Sequence, residues 1–353
     1  MRVFAQISFP KCEGSKAPVT VDIKLESRRE TLICAMQHQK SSVLRPSSIC
    51  RLLRRKKNTN ANNELTALMN IIDSHLHAIA SDTMTYPKNP IGGHQSAWSQ
   101  ERPVNAEGVI KALDTAGIAK AVVVQASTVY GHDNSYVVDA VRAYPHRLVG
   151  VYSIDALAPD AVQRIDHWEA RGLHGFRLFT TGTTMPGQSD WLGHKDSYPA
   201  WAHAEKMGIP VCLQMTMQGL PTLRTLLEHF PKSRVLLDHC ARPDLDDGAP
   251  YKAAQALFDM AQFEGVHLKL TNRTLAAAAK GRSTPAAFLE KLVNIFGAER
   301  IAWGSNFPAA EGSLDELLTT ARDVLSSLPS EQQAMIFGGT VERIYPALRG
   351  VVA

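Results

Sequence analysis

Two imidazoles spaced two residues apart are the first chemically suggestive feature of this chain. In Asp73-Ser74-His75-Leu76-His77 an extended backbone puts both rings on one face, where they could hold a metal ion or bind an anionic oxygen. A His-x-His pair alone is a common accident and gains meaning from what joins it. Asp238-His239 offers a third imidazole, and Trp303-Gly304-Ser305-Asn306-Phe307-Pro308 offers the carboxamide of Asn306. Arg177, in Gly175-Phe176-Arg177, matches a carboxylate bidentately, or else forms an ion pair inside the fold. Arg273 is either a second carboxylate clamp or a solvated side chain, and Arg242 could equally neutralise Asp244. Gln125, Ser127 and Gln214 complete the candidate substrate-binding set. His94, His132 and His194 sit in loop-like sequence and read as surface residues. Cys240 beside His239 invites a nucleophile reading, but adjacent strand residues face opposite sides. Cys212, two positions before Gln214, is expected to face inward one layer deeper, as a small core residue.

These residues fall at the ends of short β-branched runs. Such runs cover 70–75, 120–125, 148–153, 175–179, 211–214, 234–239, 266–270 and 300–303, eight in all. Between them lie helical patterns at 106–116, 135–143, 159–171, 221–230, 251–263, 285–296 and 314–327. Gly117, Gly172, Gly208 and Gly265 precede strands, as left-handed helix C-caps would. Eight βα units in about 280 residues predict an α/β fold of the (β/α)8 TIM-barrel type, whose chemistry sits at the C-terminal ends of its strands. A doubly wound open sheet is the competitor, but no Gly-rich phosphate loop follows the first run.

Composition narrows the class without naming it. The 353 residues are 44% hydrophobic and 20% charged, with 23 Gly and 19 Pro, which excludes collagen-like, coiled-coil and wholly disordered chains. No run of 18 apolar residues predicts a membrane span. Five irregularly spaced cysteines suit a reducing compartment, with the cytoplasm as the default. The net charge of +4 is uneven: residues 1–68 carry 13 Lys and Arg against 5 Asp and Glu, leaving 25 against 29 in the remainder. Residues 1–68 are therefore expected to be a basic extension of low order, outside a barrel spanning 69–353. A targeting segment, or a natural start at Met69, would also account for the extension. No nucleic-acid or membrane partner is expected, and the oligomeric state is open.

Taken together, His75, His77, His239, Asn306 and the closing run Ile336-Phe337-Gly338-Gly339-Thr340-Val341-Glu342-Arg343-Ile344-Tyr345-Pro346 resemble the amidohydrolase superfamily, over residues 70–347. Within it, Val124-Gln125-Ala126-Ser127, Tyr130-Gly131-His132-Asp133-Asn134 and Gly175-Phe176-Arg177 are similar to the amidohydrolase-related branch of 2-pyrone-4,6-dicarboxylate lactonases and galactarolactone isomerases. The resemblance implies metal ligands at a His ending strand five and an Asp ending strand eight, where this chain has Gln214 and Asn306. Neutral amides are poor zinc ligands, and Asn306 cannot act as a base. The resemblance also implies that some branch members work without metal. The expected function is therefore metal-independent opening or isomerisation of a carboxylated lactone, with no cofactor; if a metal is bound, His75 and His77 are its ligands. His75 and His77 would polarise the carbonyl, His239 would be the base, and Gln125, Ser127, Arg177, Gln214, Arg273 and Asn306 would bind substrate. A metal-dependent amidohydrolase or non-oxidative decarboxylase, and a catalytically silent barrel that binds a small acid, are the alternatives.

Overall fold

The computed structural model describes residues 3–9, 19–25 and 70–349, apart from positions 183 and 186. Strands β1 (Val3–Phe9) and β2 (Val19–Leu25) pair antiparallel within the segment expected to be of low order. β2, and β1 from Ala5 onward, alternate apolar and polar residues, a strand signal that the basic composition of the extension obscures. The rest of the extension lies outside the described residues, and the chain divides into two units between Asn60 and Ala61.

From residue 72 onward eight parallel strands follow one another around a single sheet: β3 (Ile72–Leu76), β4 (Lys120–Val124), β5 (Leu148–Ser153), β6 (Phe176–Phe179), β7 (Val211–Gln214), β8 (Val235–Leu237), β9 (Val266–Thr271) and β10 (Ile301–Gly304). Each coincides with an expected run, and the (β/α)8 barrel is the fold. The first and last strands are tied beyond their ends. Asn306 N–H donates to the His75 carbonyl at 2.7 Å, His77 N–H to the Phe307 carbonyl at 2.8 Å, and Ser305 N–H to Asp73 Oδ1 at 2.9 Å. These bonds join the His-x-His segment directly to the loop carrying Asn306.

Two apolar layers hold the barrel. Ile72, Val122, Val124, Val149, Val151, Cys212, Leu236 and Ala302 pack with Val341, Ile344, Tyr345 and Leu348, so the C-terminal segment belongs to the inner core. Alternate strand residues, among them Val123, Leu213, Leu237 and Leu268, pack with helix residues such as Leu113, Leu223 and Leu292. Each large apolar side chain buried in this way contributes about 1.5–3 kcal/mol. Both faces of the eight barrel strands are therefore buried, as all-parallel sheets require.

Helices Ala106–Ala116, Ser135–Ala143, Pro285–Phe296 and Leu314–Leu325 occupy their expected positions. Residues 251–263 instead break into a short helix, Gln255–Asp259, between two 3₁₀ turns. The helix that the expected Gly208 cap ends is Tyr198–Met207; it carries Pro in its first turn, and Gly208 is left-handed. Gly265 does not have the left-handed cap geometry expected of it. It is glycine because a Cβ there would collide with the Ser233 carbonyl. No helix among the described residues is long and apolar enough to cross a membrane.

Candidate active site

The largest local departure from expectation positions the site. The sixth strand was expected to run through His239, but β8 ends at Leu237 and the chain turns at once. His239, Cys240, Ala241 and Arg242 have φ of 55°, 52°, 57° and 52°, four consecutive non-glycine residues in the left-handed region. Such a conformation costs roughly 1–2 kcal/mol per residue, so tertiary contacts must hold it. His239 Nδ1 lies 2.7 Å from the Thr271 hydroxyl, and the Cys240 thiol faces the Lys269 carbonyl at 3.7 Å. Burial pushes that thiol up to about 12, and Cys240 is core rather than nucleophile.

The turn brings three imidazoles together. The His75 ring centroid lies 5.0 Å from that of His77 and 5.2 Å from that of His239, edge to face in both pairs. All three are buried. Burial pulls His75 down to about 4 and, with the charge of neighbouring groups, holds His77 and His239 well below the usual histidine range. His77 Nδ1 meets the Val124 carbonyl at 2.8 Å, and the Trp98 indole stacks on the His77 ring at 5.3 Å.

Beneath the imidazoles lies a charge cluster that the sequence reading did not assemble. Asp238 is fully buried; its Oδ2 accepts Arg177 Nε at 2.8 Å, and its Oδ1 stands 3.1 Å from Lys269 Nζ and 3.4 Å from His75 Nδ1. Burial alone would raise the Asp238 carboxyl, but Lys269, His75 and Arg177 together hold it well below the carboxylate range. Arg177 also donates to Gln214 Oε1 at 2.7 Å and lies 5.2 Å from the Phe179 ring. Burial likewise opposes the Lys269 charge, but Asp238 and Cys212 together outweigh it and raise the ammonium above its ordinary value. Asp73, whose Oδ1 accepts the His75 and Ser305 N–H groups, is pushed up to about 6 by burial.

The remaining candidates divide. Asn306 is buried at φ 61°, bonded through its backbone to His75. Gln125 and Ser127 are buried at the end of β4; the Gln125 amide donates to the Asp133 carbonyl, while Gln125 Oε1 and Ser127 Oγ have no partner among the described residues. Arg273 is exposed. Arg242 makes no ion pair with Asp244; its Nε is buried without a partner, and burial, Arg273 and Arg177 lower the guanidinium to about 10. Cys212 is buried at the inner layer, 3.2 Å from Lys269 Nζ. A surface cleft of about 600 Å³ lined by Asn89, His132, Arg164 and Trp168 shares no residue with this cluster.

Lys269, Asp238 and Arg242 all lie at strand ends visible in the sequence, and the structure adds the contacts among them and their partners. The signal for the first was available: a lysine alternating with Val266, Leu268 and Leu270 in a strand buried on both faces must be paired inside. The two positions where the resemblance implies further metal ligands hold amides. The Gln214 oxygen is engaged by Arg177, Asn306 offers an amide, and an ammonium lies 3.3 Å from His75 Nδ1. Among the described residues no group of three or more His, Cys, Asp and Glu side chains could hold an ion.

Polar and charged side chains gathered at the C-terminal ends of the strands of an α/β barrel have the layout of barrel enzymes. The amidohydrolase family matches this chain over residues 72–347, and the chain belongs to that family. It is 25% identical over 138 residues to the L-fucono-1,5-lactonase of Burkholderia ambifaria, a match covering 37% of this chain and 48% of the lactonase. The chain thus spans about half the length of that curated relative. Two solved structures share the fold. A protein described as a probable 2-pyrone-4,6-dicarboxylic acid hydrolase from Acinetobacter baumannii, with citric acid bound, is 19% identical at a TM-score of 0.61, covering 79% of this chain and 100% of that one. An amidohydrolase from Burkholderia multivorans with bound zinc is 19% identical at a TM-score of 0.62, covering 78% and 99%.

Proposed function

We propose that this barrel opens or isomerises a carboxylated lactone, and that it does so without a metal ion. The observation that carries the reading is the meeting of three buried imidazoles with the guanidinium of Arg177 at one end of the barrel. Ester carbonyl attack needs an oxygen stabiliser and a proton acceptor, and imidazoles supply both without a change of net charge. Arg177 with the half-buried Arg242 and the rim Arg273 makes the surroundings cationic, suited to substrate carboxylates. Gln214 and Asn306, neutral amides, orient the ring and the nucleophile by hydrogen bonding. With no carboxylate at position 306, a hydroxyl already held on the substrate competes well with water, because its proximity is prepaid. The lactonase relative and the dicarboxylic acid named for the Acinetobacter neighbour support the substrate class. The buried free thiols Cys212 and Cys240 suit the cytoplasm expected from cysteine usage.

The test is a panel of carboxylated sugar-acid and pyrone lactones incubated with chelator-treated protein, with ring opening and ring isomerisation both followed by NMR. Turnover of at least one lactone is expected. Turnover only after a divalent metal is restored would replace this reading with the metal-dependent one, which the zinc-bearing neighbour favours; no turnover of any lactone would overturn it.

A further inference from the structure

The two imidazoles of the His-x-His pair are not equivalent. The Lys269 ammonium has three N–H bonds and no lone pair, and three groups surround it: Asp238 Oδ1 at 3.1 Å, Cys212 Sγ at 3.2 Å and His75 Nδ1 at 3.3 Å. A group that only donates requires the ring nitrogen facing it to accept. Asp238 Oδ1 also stands 3.4 Å from that nitrogen, but a proton placed there would face an ammonium hydrogen. Neutral His75 therefore carries its proton on Nε2, a buried nitrogen with no partner among the described residues. His77 is held the opposite way. Its Nδ1 lies 2.8 Å from the Val124 carbonyl, which only accepts, so neutral His77 carries its proton on Nδ1 and leaves a lone pair on Nε2. Trp98 stacks on the His77 ring and fixes its plane. His239 faces a hydroxyl, which either donates or accepts, and no tautomer is imposed on it.

We infer that Lys269 and the Val124 carbonyl set opposite tautomers in neighbouring imidazoles, making His75 Nε2–H the hydrogen-bond donor for the substrate carbonyl and His77 Nε2 the proton acceptor. The inference rests on the proposed lactone reading for the identity of that carbonyl. Water, or a substrate hydroxyl, forms a bond to the lactone carbonyl carbon as its proton passes to His77 Nε2. The C=O π pair moves onto the oxygen, held by His75 Nε2–H. The pair then returns, the ring C–O bond breaks, and the His77 imidazolium gives its proton to the departing alkoxide. Water is consumed in hydrolysis and nothing in isomerisation. Lys269 touches no reacting atom and is a positioning residue. The base expected at His239 thereby moves to His77.

Ring tautomers are read directly from long-range ¹H–¹⁵N correlations of protein labelled in histidine, at neutral pH and without substrate, with signals assigned by their loss in His75→Asn and His77→Asn. His75 is expected as Nε2–H and His77 as Nδ1–H. Two rings of the same tautomer, or the reverse pair, would overturn the inference. In Lys269→Met, His75 should switch to Nδ1–H and donate to Asp238, with kcat falling about 100- to 1000-fold, the range for a lost oxyanion donor, and KM little changed. His75 remaining Nε2–H in a folded Lys269→Met protein would refute the role of Lys269. If that variant does not fold, the wild-type spectrum still decides the tautomers. The spectra need no substrate, so a failure to turn over lactones would strike the proposed function and leave this result standing.

Discussion

Replacing Asp238 with Asn keeps the shape of the cluster and removes the carboxylate that Arg177 and Lys269 share. Arg177 retains Gln214 and the Phe179 ring, but Lys269 loses the charge 3.1 Å away that keeps it protonated in a fully buried place. At an effective dielectric of about 20, that pair is worth about 5 kcal/mol, and breaking one partner of a buried pair costs about 3–5 kcal/mol. A ceiling exists, because Lys269 can shed its proton instead. From an ordinary value of 10.5 to a working pH of about 7.5, that costs about 4 kcal/mol. The expected loss is therefore about 3–4 kcal/mol, a fall in melting temperature of roughly 6–15 °C. The sign of the pH dependence follows. In the variant, burial depresses Lys269, so the unfolded chain binds the proton that the folded one lacks, and stability rises by about 1.4 kcal/mol per pH unit as pH climbs towards 10.5. Urea unfolding at about pH 7.5 and pH 9 measures both effects, and Asp238→Asn/Lys269→Met should recover much of the loss. A cost below about 1 kcal/mol, or no recovery at higher pH, would refute the assignment of Asp238 as the counter-ion.

Acid should unfold the barrel early. His75, lowered from 6.5 to about 4, costs about 3 kcal/mol as pH falls through that window, because only the unfolded chain takes up the proton. Asp73, raised from 3.8 to about 6, offsets a similar amount in the opposite sense. His77 and His239, lowered further, set the net loss, and Asp73→Asn should steepen it in pH-resolved melts. His77→Ala is expected to lower kcat by about two to four powers of ten and His239→Ala by less; equal losses would return the base to His239. Asn306→Asp should raise hydrolysis relative to isomerisation and weaken binding of an anionic lactone, both read by product NMR. A chain beginning at Met69 should keep activity and melting temperature, as checked by assay and thermal melt.

The eight strands were legible because parallel barrel strands, buried on both faces, are short β-branched runs with helices between. The resemblance likewise rests on local runs, and the structure brings His75, His77, Arg177 and His239 together as they suggest. What the sequence hid is nonlocal. Four left-handed residues after Leu237 contain no glycine and break no local rule that can be read in advance; tertiary contact decides them. The pairing of Asp238 with Lys269, 31 positions on, and with Arg177, 61 positions back, depends on the order of strands around the barrel.

That cluster also connects the two amide substitutions with the rest of the site. A metal ion would bring two positive charges to the imidazoles and would need carboxylate or imidazole lone pairs in return. Here the positive charge near the imidazoles comes from Arg177 and Lys269, with Asp238 as counter-ion, and all three are buried. Arg177, Lys269 and Asp238 by themselves leave one positive charge in excess beneath the three imidazoles, with Asp73, raised to about 6, beside them. A carboxylate in place of Asn306 or Gln214 would cancel that excess, whereas an amide preserves it for the anionic substrate we propose. The neutral residues at 214 and 306, the buried lysine and the opposed tautomers are thus parts of one electrostatic arrangement. Changing either amide to an acid should alter substrate binding before it alters the fold.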